Sequence, residues 1–241
     1  MPGSAPHSDR PDPAQRVVLL DIDGTLIDSN DAHARAWVDS LAEFGYVVPF
    51  ERVRPLVGMG GDKILPELVG LDPESPEAQR LSERRGEIFR TRELPHLQAT
   101  RGARDLLVRL RADGYELSVA TSARADDVRA TLEQALVADL IQTATSSDDA
   151  AHSKPDPDIV RAALRQSGHP ASHAVMLGDT PYDIEAATRA RVRIVALRCG
   201  GWWSDEALRG AVAIYDDPGA LLASYDDSIF GHDFAPGFAT R

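Results

Sequence analysis

Six short apolar runs punctuate the chain, each too brief for a helix: VVLLDID (17–23), YELSVATS (115–122), LIQTATSS (140–147), HAVMLGDT (173–180), VRIVALRC (192–199) and AVAIYDD (211–217). Runs of this length fit strands buried on both faces. Helical patterns lie between them. In DDVRATLEQALVADL, residues Val128, Leu132, Ala135 and Leu136 fall on one face at helical spacing. RGARDLLVRLRADG carries Leu106, Leu107 and Leu110, with Asp113-Gly114 as a stop. PDPDIVRAALRQSG opens with prolines and closes at Gly168, the asymmetry expected of a helix. Alternation of strand and helix predicts an α/β fold, a parallel sheet covered on both faces.

One interval breaks the rhythm. Asp23 and Thr121 are 98 residues apart, whereas a βαβ unit needs about 30. Most of the excess reads as helix: Trp37, Leu41 and Phe44 are spaced for one face, Lys63 to Val69 is a short candidate, and PEAQRLSERRGEIFRTREL is a longer, charged one. We therefore expect a helical subdomain at 29–96 inserted into an α/β core made of 16–28 and 97–225. Residues 1–15 read as a Pro/Ser-rich flexible leader without a signal-peptide core, and 226–241 as a tail that packs little. The GMGGDK stretch (58–63) is neither GxGxxG nor GxxxxGK and follows no strand. It reads as a turn of the insertion facing the site, with Lys63 a candidate substrate contact. Trp202-Trp203, after two glycines, reads as an exposed patch or dimer contact.

Composition narrows the function classes. The 241 residues carry a net charge of −12, so a broad electrostatic grip on nucleic acid or an anionic membrane is not expected. A single cysteine, Cys199, excludes an internal disulfide and a cysteine-based zinc site. No run of about 18 apolar residues suggests a membrane span, and a cytoplasmic protein, monomer or homodimer, is the default expectation.

The chemistry concentrates at strand ends, where open parallel sheets bind ligands. Asp21 and Asp23 alternate with Ile22, so both carboxylates point the same way. Two such charges about 4 Å apart repel by about 4 kcal/mol at an effective dielectric near 20. A shared proton, a cation, or both must compensate. Thr121 and Ser122 offer hydroxyls and backbone N–H groups at a second strand end, Lys154 in SKPDPD offers a positive charge, and LGDTPYD supplies Asp179 and Asp183. Oxygen ligands of this kind suit Mg²⁺. A phosphate would complete the charge balance, and an Asp carboxylate can attack phosphorus.

DIDGT, the Thr/Ser after VAT, the lysine of SKPDPD and GDTPYD resemble, in order, the four signature motifs of the haloacid dehalogenase superfamily. The inserted helices resemble the mobile cap of its phosphoglycolate phosphatase and β-phosphoglucomutase branch. The resemblance implies a Rossmann-like core and a Mg²⁺ cofactor. It implies that Asp21 is the nucleophile, forming an aspartyl-phosphate, and that Asp23 is the acid and base. It further implies that Asp21, Asp23 (through its carbonyl), Asp179 and Asp183 hold the metal, and that Thr121 and Lys154 bind the phosphoryl oxygens. His33, twelve residues after Asp21, resembles the histidine that couples cap closure to the acid/base aspartate in β-phosphoglucomutases. Superfamily dehalogenases do not need a second aspartate and phosphonatases place a small residue there, so Asp23 argues against both. Mutases carry a cap arginine where Gly60-Gly61 stands here. The expected function is thus a phosphatase of small phosphorylated metabolites, phosphoglycolate-like or sugar phosphates. A sugar-phosphate mutase is the alternative, and a non-catalytic binding protein of the same fold is the alternative of another class.

Overall fold

Every apolar run identified above contributes a strand to one parallel sheet in the computed structural model, which describes residues 16–231. The strands are β1 (Val17–Leu20), β2 (Glu116–Ala120), β3 (Thr143–Thr145), β4 (Ala174–Gly178), β5 (Arg193–Leu197) and β6 (Ala213–Tyr215), in spatial order β3-β2-β1-β4-β5-β6. β1 is central: Leu20 lies opposite Val119 of β2 on one side and Leu177 of β4 on the other. All four β1 residues are fully buried, and they alternate between two cores, as side chains of a strand must. Val18 and Leu20 face Leu106, Leu107 and Leu110 of α5 (Ala103–Ala112) together with Val128 and Leu132 of α6 (Ala125–Gln134). Val17 and Leu19 face Ile159, Val160 and Ala163 of α7 (Asp158–Ser167) and Ile184 and Ala187 of α8 (Pro181–Arg189). Each such aliphatic side chain taken from water contributes roughly 1.5–3 kcal/mol, which makes β1 a rigid base for whatever follows it.

The strand ends at Leu20 because the chain turns there. Ile22 O accepts hydrogen bonds from Thr25 N (3.2 Å) and Leu26 N (2.8 Å), while Asp21 N still reaches Leu177 O of β4 (2.9 Å). Asp21 and Asp23 are thereby left at the carboxyl edge of the sheet.

Between β1 and α5 lie α1 (Asn30–Glu43), α2 (Phe50–Val53), α3 (Gly61–Val69) and α4 (Pro76–Ile88), the last running into a π-helical turn at Phe89–Glu93. Ala34, Trp37, Leu41, Val53, Ile64, Leu65, Leu68 and Leu81 form a hydrophobic cluster of their own, while Ile88 and Phe89 join the core under the sheet. No helix among the described residues is long and apolar enough to cross a membrane.

Two expectations are corrected. Leu136 does not share the buried face of α6: the helix ends at Gln134, and Leu136 is 67% exposed with φ of 58°. Its N–H donates to Glu133 O and that of Val137 to Leu132 O (both 3.0 Å), a Schellman-type ending. This closure drives Val137, rather than Leu136, into the core. The tail also packs more than expected as far as it is described, since α9 (Pro218–Ala223) is followed by buried Tyr225, Ser228 and Phe230. Tyr115 Oη donates to Phe230 O (3.1 Å). The expected leader, 1–15, and the end of the tail, 232–241, lie outside the described residues.

Candidate active site

At the carboxyl edge of β1 the buried side chain of Asp21 meets two loops that follow other strands. Lys154 Nζ donates to Asp21 Oδ1 at 2.6 Å and lies 2.8 Å from Asp183 Oδ1. The lysine is itself 1% exposed. Asp183 sits in the first turn of α8, where its Oδ2 accepts from Thr180 N (3.0 Å) and Thr180 Oγ1 (2.7 Å) in a capping box. Capping fixes one carboxylate oxygen and turns the other toward Lys154. Asp179, at the end of β4, accepts from Thr25 Oγ1 (3.2 Å) and Asn30 Nδ2 (2.8 Å). Glycine is required beside it: a Cβ on Gly24, whose φ is 75°, or on Gly200 would overlap the Asp179 carboxylate.

Carboxylate oxygens of Asp21, Asp179 and Asp183 all lie within 4.8 Å of one another. Burial pushes the Asp21 carboxyl up to about 8; Lys154 opposes this, and Asp183 and Asp23 add to it. Asp179 is raised well above the carboxylate range by burial and by Asp183 and Asp21. Burial works against the charge on Lys154, but Asp183 and Asp21 outweigh it and raise its pKa. Three carboxylates against one ammonium leave two negative charges, the amount one divalent cation neutralises. Hard oxygen donors, close spacing and this imbalance fit Mg²⁺, and when no cation is bound protons must stand in for it.

Asp23 is held differently. Its Oδ1 accepts from Ser29 Oγ (2.6 Å) and faces His33 Nε2 (2.7 Å). Burial favours the neutral carboxyl, yet His33, Ser29 and Arg85 together hold Asp23 below its ordinary value. His33 stacks on Phe89 (centroids 3.9 Å apart, 14° between planes) and its Nδ1 faces Arg85 Nη1 at 3.4 Å. Above both aspartates is a cavity of about 260 Å³, lined on the core side by Thr121, Ser122 and Arg124 and on the cap side by Trp37, Gly58–Asp62, Ser82 and Arg85. Asp21 alone belongs to both the acidic cluster and the cavity wall.

Residues 18–197 match the family model of the haloacid dehalogenase-like hydrolases. The chain belongs to that family. A phosphoglycolate phosphatase from Rhodospirillum rubrum is 32% identical over 215 residues, 86% of this chain and 89% of the relative. A hydrolase structure from Pseudomonas syringae is 30% identical with a TM-score of 0.81, covering 88% of this chain and 99% of its own. A mutant of CbbY from Rhodobacter sphaeroides, in complex with xylulose-1,5-bisphosphate, is 25% identical with a TM-score of 0.75, covering 86% and 96%. This member of the family is accordingly a hydrolase with the α/β core described above.

The hydrolase brings Asp21, Asp23, Thr121, Ser122, Lys154, Asp179, Asp183 and His33 to one end of the sheet. Thr121 Oγ1 accepts from Ala123 N (3.1 Å) and Ser122 Oγ from Lys154 N (3.3 Å), so both hydroxyls also shape their loops. Lys63 is not brought into the cavity: its Nζ pairs with Asp156 Oδ2 at 2.7 Å. Trp202 is exposed (42%), as expected, and the guanidinium of Arg54 lies over its ring at 5.5 Å. Arg54 is buried, bonded to Asp31 (2.5 Å) and to Gly200 O, and Arg84 pairs outside with Glu43 and Glu87. Arg85 is therefore the inward cap arginine. It stacks over Trp37 (5.3 Å) and reaches Asp127, a fully buried acid of α6, at 3.5 Å. Sequence reading missed Thr25, Asn30 and Asp127 as parts of the site, and left open which of Arg54, Lys63, Arg84 or Arg85 faces inward.

Proposed function

We propose that this hydrolase is a Mg²⁺-dependent phosphatase of small phosphomonoesters, acting through an aspartyl-phosphate on Asp21. The observation that carries the reading is the dual position of Asp21, exposed to the cavity on one side and held by Lys154 (2.6 Å) within a buried carboxylate cluster on the other.

In the proposed reaction an Asp21 oxygen attacks phosphorus in line with the ester oxygen. The P–O bond to the leaving group breaks, its electron pair goes to that oxygen, and Asp23 delivers a proton to it. The same Asp23, now ionised, takes a proton from water, whose oxygen attacks the aspartyl-phosphate and frees phosphate and Asp21. Depression of the Asp23 pKa by His33 and Ser29 suits the second step. Lys154 and the loop of Thr121 and Ser122 would hold phosphoryl oxygens, since phosphoryl transfer is mainly positioning and charge stabilisation. A divalent cation held by Asp21, Asp179 and Asp183 would keep Asp21 ionised and neutralise developing phosphoryl charge. A cavity of about 260 Å³ roofed by the cap favours small esters, and the named phosphoglycolate phosphatase and xylulose-bisphosphate relatives support phosphoglycolate-like or sugar-phosphate substrates.

Incubation with p-nitrophenyl phosphate, with and without Mg²⁺, tests the reading. Metal-dependent phosphate release, abolished in a folded Asp21→Asn variant, is expected. Release that survives Asp21→Asn contradicts it, and isomerisation of a sugar phosphate without net release would point to a mutase instead.

A further inference from the structure

The GMGGDK turn lines the cavity, and it also grips the segment that carries Lys154. Asp62 Oδ1 accepts from Ser153 Oγ at 2.5 Å and its Oδ2 from Ser153 N at 3.1 Å. Gly60 N donates to the same Ser153 Oγ at 3.0 Å. Ser153 is buried and immediately precedes Lys154. On the other side of the lysine, Lys63 Nζ bonds Asp156 Oδ2 (2.7 Å). Consecutive residues at the start of α3 thus hold the lysine loop at positions 153 and 156. The second glycine of the turn has a local reason as well: a Cβ on Gly60 would come within 2.7 Å of Asp62 Oδ1 and 2.8 Å of Ser153 Cβ. Only a bare backbone lets the turn seat this closely on Ser153.

We infer that the GMGGDK turn is a clamp from cap to core, with Asp62 a positioning residue that sets Lys154 against Asp21 and Asp183 when the cap is seated. The route is short. Asp62 fixes Ser153, Ser153 fixes the next backbone unit, and Lys154 extends from it to Asp21 (2.6 Å) and Asp183 (2.8 Å). Ser122 Oγ, accepting from Lys154 N (3.3 Å), ties the same backbone to the loop of the phosphoryl-binding hydroxyls. Cap seating would thereby be sensed by the group that neutralises the transferring phosphoryl, independently of which substrate lies beneath. Lys63 gains a role here that its position in the sequence did not suggest.

The kinetic consequence rests on the phosphatase reading, whereas the clamp itself does not. Asp62→Ala and Ser153→Ala are each expected to lower kcat about ten- to a hundredfold, the scale of a small misplacement of a catalytic group. KM should stay near the wild-type value, and the factor should be the same for p-nitrophenyl phosphate and an alkyl phosphomonoester. Their double variant should lose no more than the larger single loss, and Asp62→Asn, which keeps one acceptor, should recover part of it. Hydrogen exchange of the 150–157 segment should quicken in Asp62→Ala while the strands stay protected. A loss confined to KM and varying with the leaving group would make Asp62 a substrate contact and overturn the inference. So would additive losses, or unchanged exchange with kcat within twofold of wild type. If the wild type released no phosphate from any ester, the phosphatase reading would fail, and the exchange comparison would still decide the clamp.

Discussion

Removing Mg²⁺ should expose the charge imbalance beneath Asp21 as a dependence on pH. Without metal, burial holds the Asp21 carboxyl near 8 against an ordinary 3.8, and Asp179 is also raised well above its ordinary value. Across the window between those two Asp21 values, the folded protein binds more protons than the unfolded chain. The sign follows: stability falls as pH rises, by about 1.4 kcal/mol per pH unit for each retained proton. A cation that takes the place of those protons binds more tightly as pH rises, about tenfold per pH unit for each proton displaced. Three carboxylates and one lysine leave room for one to two such protons. Calorimetric titration of the EDTA-stripped protein with Mg²⁺, in buffers of different ionisation enthalpy between about pH 6 and 7.5, counts them directly. One to two protons released per Mg²⁺, fewer in Asp179→Asn, is the expected result. An affinity flat with pH, or one that weakens as pH rises, would refute the assignment of these carboxylates to the metal.

Three other perturbations have defined outcomes. His33→Ala removes the strongest group holding Asp23 down, so each limb of the pH–rate profile that reports Asp23 should move to higher pH, and an unmoved profile would separate His33 from the acid/base. Gly200→Ala should abolish the rise in melting temperature caused by Mg²⁺, because its Cβ would displace the Asp179 carboxylate; a wild-type rise would show that Asp179 is dispensable for the metal. Asp127→Ala leaves the buried Arg85 without its acidic partner and should cost about 3 kcal/mol in urea denaturation, whereas a change under about 0.5 kcal/mol would mean that Arg85 finds another partner.

Much of this architecture is legible along the chain because its determinants are local. Fully buried parallel strands need continuous apolar runs, and those at 17–20 and 174–178 could hardly be anything else. Acidic residues at the ends of such runs announce chemistry: Asp21 precedes the turn and gains nothing from it, whereas Asp179, which could have served only to cap the helix opening at Pro181, is marked by its company with Asp21 and Asp23. Helix endings are weaker signals: Leu136 keeps the helical period in sequence, but the Schellman closure at Gln134 turns it outward. Partnerships across the fold leave no periodic trace at all. Asn30 reaches Asp179 across 149 residues and Asp62 reaches Ser153 across 91, and each looks in sequence like an ordinary polar residue near a helix start. Lys63 shows the converse error, a cation near the site that is satisfied by an anion outside the cavity.

The nucleophile can be observed without knowing the natural substrate. Enzyme mixed with p-nitrophenyl phosphate and Mg²⁺, quenched in acid within one turnover and treated with borohydride, should carry its reductive mark at residue 21, in the peptide spanning β1, when read by mass spectrometry. An unmodified Asp21 during turnover, with phosphate released by direct attack of water, would contradict the covalent route.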